Sequence, residues 1–369
     1  MKKRVTAMML VLALACSGMV GCGNNQKDSG ETQATAGSQG NALDLGKIYS
    51  SMETENVFIS LDDLKAVQAT EDLTIGLAMG YGLSTPFYTA MANAFTDEAE
   101  SLGVTVLQAD CESNPQTQVS KLENFIAQGV NGIVVLPTDP NTSITLVLEK
   151  AYEAGIPVIT VDVPPADDAT YYATFITDAY SLGYSVGETI AQMLLDENPD
   201  GEIEYGIIGG VEGNPTPTAR NEGMRDGIAK VDTEGRIVET AFLYANAFSE
   251  ESGLNTAENM LIAHPNLKAI LGTCDAHVVG ATSAAKRQGL DENIIMGGVD
   301  GSSAAMEIMK EGGPIKVLAL NSPNDVGRSA ARAMTALLTD GTTVPSKRMI
   351  IEGGVVTPEN VDEYMDQAF

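Results

Sequence analysis

Residues 132–162, GIVVLPTDPNTSITLVLEKAYEAGIPVITVD, decide the fold. Gly132-Ile-Val-Val-Leu136 is a short unbroken apolar run stopped by Pro137. Such a run suits a strand buried on both faces. Residues 141–154 then carry apolar side chains at helical spacing and stop at Gly155, a helix-ending residue. Pro157-Val-Ile-Thr-Val161 is a second buried run. Two strands joined through a helix are parallel neighbours linked by a right-handed crossover.

The same unit recurs in both directions. Upstream, the pattern predicts a strand over 73–79, a helix over 86–102 ended by Gly103, a strand over 104–107 and a helix over 116–128 ended by Gly129. Downstream it predicts helices over 179–196, 217–230, 250–263, 276–288 and 302–311. Strands are expected between them over 203–208, 237–243, 268–272, 294–299 and 315–320. About ten units exceed one open sheet, and they exceed one (βα)₈ barrel. The expectation is α/β, with two Rossmann-like doubly wound lobes. Ligands of open parallel sheets sit at the carboxyl ends of the strands. Here those ends carry Thr85 to Tyr88, Asp162, Cys274-Asp275, Asp300 and Asn321.

Composition narrows the function. The chain has 369 residues, with 21 Lys+Arg against 50 Asp+Glu and a formal charge of -29. A surface of that sign opposes phosphate-backbone binding, so nucleic acid is excluded as a partner. Four Cys rule out a disulfide-dense scaffold. Two His, His264 and His277, leave little for a zinc site or a His-based triad. No metal and no cofactor is expected.

The N-terminus has the layout of an export signal. Lys2, Lys3 and Arg4 precede an apolar run from Val5 to Ala15, too short to span a membrane comfortably. Met19-Val20-Gly21-Cys22 follows and resembles a bacterial lipobox, with Met19 where Leu is usual. That likeness implies lipid attachment at Cys22; Cys16, after Ala13-Leu14-Ala15, is the rival. Loss of residues 1–21 removes three basic and no acidic residues, leaving 18 against 50. Residues 23–42 contain no Leu, Ile, Val, Phe, Met or Tyr and read as a flexible tether. Residues 43–70 are mixed and could form a short arm or a helix packed on the main body.

The segments Thr85-Pro86-Phe87-Tyr88, Pro157 to Asp162, Ala219-Arg220-Asn-Glu-Gly223, Ala263-His264-Pro265 and Gly297-Gly-Val-Asp300-Gly301 lie in order over residues 73–350. Together they resemble the type I periplasmic sugar-binding proteins, the ribose, galactose and xylose receptors of ABC transporters. The resemblance implies two lobes joined by three hinge strands, with the ligand held between them. It divides the chain into a signal (1–21), a lipid-anchored tether (22–42), an arm (43–70), an N-terminal lobe (71–177 plus 322–350) and a C-terminal lobe (178–321 plus 351–369).

It also implies roles. Asp162 and Asp300 are the carboxylates on sugar hydroxyls, although Asp162 could be a helix N-cap and Asp300 a loop residue beside Gly. Arg220 donates to ring oxygen and hydroxyls, whereas Arg225 reads as a surface charge. Phe87, Tyr88 and Phe248 are the candidate stacking aromatics, one of the first two being a core residue instead. Asn321 aligns with a family Gln on a hinge strand and Thr85 with a family Asn. Three departures stand out: Val163 replaces an Arg, Cys274 an Asn and Val299 a Phe. Ribose itself is therefore disfavoured as the ligand.

Residues 196–204 match only the first half of a calcium loop, with Ile207 where the final Glu belongs, and read better as an acidic turn. His264 reads as a helix-end cap, and His277 could face the cleft. Cys111 and Cys274 are expected to stay free thiols. The leading expectation is an extracytoplasmic lipoprotein, monomeric and held to the membrane by its lipid alone. It would deliver a small molecule, a carbohydrate first, to an ABC permease without acting on it. A receptor for a sensor kinase or chemoreceptor is the alternative; a nucleoside or an autoinducer is the alternative solute. An enzyme fits least, since no nucleophile–base pair or cofactor motif is visible.

Overall fold

The computed structural model describes residues 43–369 apart from positions 142 and 167. The expected signal, lipid site and tether lie outside the described residues. The described part opens with α1 (Leu45–Ser51) and β1 (Glu53–Ile59), then β2 (Leu73–Met79), α2 (Pro86–Ser101), β3 (Val104–Asp110), α3 (Pro115–Gln128), β4 (Gly132–Leu136), α4 (Thr145–Glu153), β5 (Val158–Val161) and β6 (Ala173–Ile176). It crosses to α5 (Ala179–Glu197), β7 (Ile203–Ile208), α6 (Pro215–Val231), β8 (Ile237–Leu243), α7 (Glu250–Ala263), β9 (Ala269–Gly272), α8 (Asp275–Gln288), β10 (Ile295–Asp300), α9 (Ser303–Lys310) and β11 (Ile315–Leu320). It returns for α10 (Pro323–Asp340) and β12 (Ser346–Ile351), and crosses again to β13 (Val355–Val356) and α11 (Val361–Tyr364).

Two sheets result. The first is wholly parallel in the order β1-β12-β6-β5-β4-β2-β3. The second has the order β13-β11-β10-β9-β7-β8 and is parallel but for β13. Within each, the first strand of the α/β run is flanked by the second on one side and the third on the other. Both lobes therefore have a switch point, where strand carboxyl ends open a crevice. Each sheet is buried on both faces, with separate apolar clusters above and below it.

Local chemistry sets the helix starts. Asn114, Asp178, Asn214, Ser249 and Ser322 each accept from a backbone amide in the first turn of the helix that follows. Pro sits in the first turn of α2, α3, α6 and α10, where its missing N–H costs nothing. This moves α6 two residues earlier than the apolar spacing predicts, to Pro215. The α4 helix begins at Thr145 rather than 141, because Asp139 holds Asn141 and Ser143 in a turn first.

Residues 43–70 do more than lie on the body. Leu45 and Tyr49 of α1 enter the first lobe's core, and β1 is that lobe's edge strand, parallel to β12. The turn at 196–204 is held by Arg236, whose guanidinium donates to Gly201 O (3.0 Å) and Asn198 O (2.5 Å). Cys111 and Cys274 are buried and unpaired.

Candidate functional site

Carboxyl ends of both sheets meet around Arg220. The α6 helix that carries it is capped by Asn214, and Asn221 ties it to Gly209 O at 3.0 Å. Arg220 is 6% exposed. Its Nη1 donates to Thr273 O at 2.6 Å and its Nη2 pairs with Asp300 Oδ1 at 3.1 Å. Asn321 Nδ2 donates to that same oxygen at 3.0 Å, and Thr177 Oγ1 donates to Asn321 Oδ1 at 2.7 Å. Thr177 and Asn321 stand at two of the interlobe crossings. One hydrogen-bonded chain thus runs from the crossings into the site. Arg220 Nε is buried without a partner among the described residues.

Two carboxyl groups, Asp300 and Asp162, feel this guanidinium, and a third, Asp275, lies against Asp300. Asp300 has φ +129° and Asp162, directly after β5, has φ +61°. Both are conformations that L side chains rarely adopt, and such strain gathers at functional sites. The Asp300 carboxyl is raised by burial, against the opposing pull of Arg220 and Asn321. Asp162 makes no side-chain hydrogen bond to a described residue. Burial pushes it up to about 6, Arg220 pulls it down and Asp300 pushes it up. Asp275 is 1% exposed, and its Oδ2 accepts from Gly301 N (2.7 Å) and Ser302 N (2.5 Å). Its Oδ1 has no partner among the described residues, and burial followed by Asp300 raises its carboxyl. Cys274, beside it, is a thiol raised by burial and by Asp300.

Aromatic groups close the other side. Tyr81 and Tyr88 stack at 5.2 Å with 23° between planes. Both phenols are raised by burial first and by Asp162 second, and Tyr88 also feels Asp300 and Arg220. Phe87 meets Tyr88 and Phe369 edge-on, each at 5.4 Å. Phe248 is 48% exposed and stacks on His277 at 6.0 Å. His277 is fully buried; its Nε2 lies 2.9 Å from Ala247 O and its Nδ1 3.5 Å from Thr273 Oγ1. Burial lowers its pKa, so it stays neutral, donates to Ala247 and anchors the turn that presents Phe248.

The expected residues Asp162, Arg220, Asp300, Asn321, Tyr88 and Cys274 converge here. Thr85 is exposed at the α2 N-cap and makes no side-chain cap bond. Phe87 is partly buried between Tyr88 and Phe369, and Phe248 rests on His277. His264 ends α7 as its C-cap. One expectation needs correcting: Val299, counted among the departures that disfavour ribose, does not line the site. Side chains alternate along a strand, so the residue before Asp300 points into the second lobe's core, where Val299 is fully buried. Val163 packs on the first lobe's core and puts no charge beside Asp162. Tyr81 and Thr273 were not singled out from sequence. For Tyr81 the signal was available: it follows the carboxyl end of β2 by two residues.

The Asp162 carboxyl gives a signed pH expectation. Its folded-state pKa lies above the unfolded value. Between the ordinary carboxylate range and about pH 6 the folded chain therefore binds more protons, and stability falls as pH rises through that window. Asp162→Asn is expected to leave the free protein more stable at pH 7 and to reduce this pH slope. Urea unfolding at pH 4.5 and 7 checks it, and an undiminished slope would contradict the assignment.

A family model described as a periplasmic binding protein domain matches residues 75–343. The ribose import binding protein of Bacillus subtilis (strain 168) is 27% identical over 268 residues, which is 73% of this chain and 82% of that protein. A solute binding protein of an ABC transporter from Bacillus halodurans C-125, solved with bound myo-inositol, is 25% identical with a TM-score of 0.69. That match covers 82% of this chain and 99% of the other. The fold is also that of a periplasmic solute binding protein from Actinobacillus succinogenes 130z solved with bound D-allose. There the TM-score is 0.71, with 24% identity over 79% of this chain and 100% of the other.

Proposed function

The chain belongs to the type I periplasmic sugar-binding protein family, and from that premise we propose that it captures a small polyhydroxylated solute between its lobes and delivers it to an ABC importer. The observation that carries this is the polar chain Thr177–Asn321–Asp300–Arg220, which links the crossings to a site faced by the unpartnered Asp162. A solute bridging Asp162 and Arg220 joins groups from both lobes, so its binding energy favours closure. The moving units are 43–177 with 322–351, and 178–321 with 352–369: the arm and Ile351, which the sequence left outside the first lobe, go with it because β1 and β12 belong to its sheet. Asp162, Arg220, Asp300 and Asn321 supply the hydrogen bonds, Tyr88 and Phe248 the ring faces, and Thr85, Phe87 and Cys274 the periphery.

No reaction is assigned. The Cys274 thiol is held protonated, and both ring nitrogens of His277 face protein partners. The protein acts as a monomer outside the cytoplasm, tethered through a lipid on Cys22. Ribose is disfavoured because Val163 stands where the family resemblance implies an Arg, which leaves Asp162 without a second guanidinium.

A thermal-shift screen of sugars, polyols and nucleosides tests the reading, since a ligand of the native state alone raises Tm. One solute class is expected to raise it by several degrees at a hundredfold excess over Kd, and Asp162→Ala is expected to abolish that rise. A rise that persists in the variant would remove the solute from this site.

A further inference from the structure

Resting on that reading of the interlobe site, we propose that its solute carries a protonated amine, seated on Asp162, together with a hydroxyl or ether oxygen that accepts from Arg220: an amino sugar or amino polyol rather than a neutral sugar.

The groups around Asp162 define what is missing. Among the described residues, Arg220 is the one cation whose charge acts on it, and that cation is already committed. Its Nη1 is on Thr273 O and its Nη2 on Asp300 Oδ1. Asp300 adds a second negative charge on the same side, and Asp275 a third carboxyl behind it. His277 is held neutral by burial. Val163, the next residue along, turns into the core. The site therefore holds more carboxylate than cation before any ligand enters.

Closing such a site over a neutral sugar keeps a desolvated carboxylate with hydroxyl donors alone. An ammonium compensates the charge and brings three donors in one group. The Tyr81 and Tyr88 phenols feel Asp162 electrostatically and are held protonated by burial, so the aromatic side of the site adds no positive charge to offset it. A stacked aromatic pair there also favours a cation.

The opposite end points to an oxygen. Arg220 Nε is a buried donor with no protein partner in a side chain more than nine-tenths buried. A buried donor left unpaired calls for an acceptor that the protein does not supply, and a ligand oxygen is such an acceptor. Cation at one end and oxygen acceptor at the other describe an amine-bearing carbohydrate. The protein's formal charge of -29 draws such a solute from solution.

The test is titration calorimetry of the full chain at pH 7 with matched pairs: D-glucosamine and D-glucose, D-galactosamine and D-galactose, N-methylglucamine and sorbitol. N-acetylglucosamine serves as the uncharged control. In at least one pair the amine is expected to bind tenfold or more tighter than its partner, with the control following the neutral member. Asp162→Asn is expected to shrink that preference to less than threefold. Neutral members binding as well as or better than the amines would overturn the inference while leaving the sugar-capture reading intact. So would the absence of binding by every amine, since the broader thermal-shift screen speaks to capture separately. Amine binding unchanged in both Asp162→Asn and Arg220→Ala would place the site elsewhere and overturn both.

Discussion

Arg220→Ala is expected to abolish solute binding and to lower the stability of the free protein by about 2–4 kcal/mol at pH 7. The guanidinium is nearly fully buried and serves two partners on its own lobe, Thr273 O and Asp300. Its removal leaves Asp300 facing Asp162 and Asp275 with Asn321 as its remaining side-chain donor. Removing one member of a buried pair costs more than the pair is worth, because the survivor keeps its desolvation penalty. The lower end of that range applies here, since Asp300 can take up a proton. The loss is therefore expected to shrink as pH falls, once the carboxyl, already raised in the native chain, protonates. Asp300→Asn combined with Arg220→Ala should recover much of the stability and none of the binding. Arg220→Lys should not rescue binding, because an ammonium cannot reproduce a planar fork between a carbonyl and a carboxylate. Denaturant unfolding of the two single variants and the double variant measures the coupling directly. Wild-type stability in Arg220→Ala would mean that the Asp300 pair contributes nothing to the fold.

Legibility in the sequence followed burial. Strands inside the sheets announce themselves because both faces are covered, so β4 reads as a continuous apolar run and β2 and β7 as runs broken once near their start, by Thr74 and Glu204. Edge strands do not. In β1, ETENVFI, five of seven residues are exposed and one is buried, so no periodic signal exists. The crossing back into the first lobe was hidden for another reason: parallel pairing of β12 with β6 joins residues some 170 apart, and no local spacing carries it. Among the site residues, Asp162, Arg220 and Asp300 were legible as charges at strand ends and in family motifs. What the sequence could not display is how the charges are shared. That Arg220 is committed to Asp300, and that Asp162 is left alone, are facts of side-chain geometry. Val299 illustrates the reverse error, since a position in a motif does not reveal which face of the strand it occupies.

The packing that fixes Arg220 leads to the second large effect. Gly183 and Gly187 on α5 lie one turn apart, as do Gly223 and Gly227 on α6. A Cβ at Gly183 would overlap the carbonyl oxygen of Arg220, and one at Gly187 that of Met224. Reciprocally, a Cβ at Gly223 would overlap Tyr180 O and one at Gly227 Tyr184 O. The two backbones touch through four glycines, at a spacing that any side chain would break. Gly183→Val is therefore expected to cost about 3 kcal/mol or more of stability, from overpacking of about 1–3 kcal/mol per misfitted group with a β-branched side chain at the upper end. A helix-propensity gain of a few tenths relative to Gly offsets little of this. Because the clash falls on Arg220's own peptide, α6 must shift just where the guanidinium is aimed. Solute affinity should fall at least tenfold, since an ångström of misplacement breaks a hydrogen bond. Gly187→Val, one turn further along, should cost similar stability while disturbing binding less, because it strikes Met224 in the core instead. Urea unfolding and calorimetric titration of both variants separate the two effects. Equal binding losses at 183 and 187 would make the helix contact a matter of global stability rather than of placing Arg220.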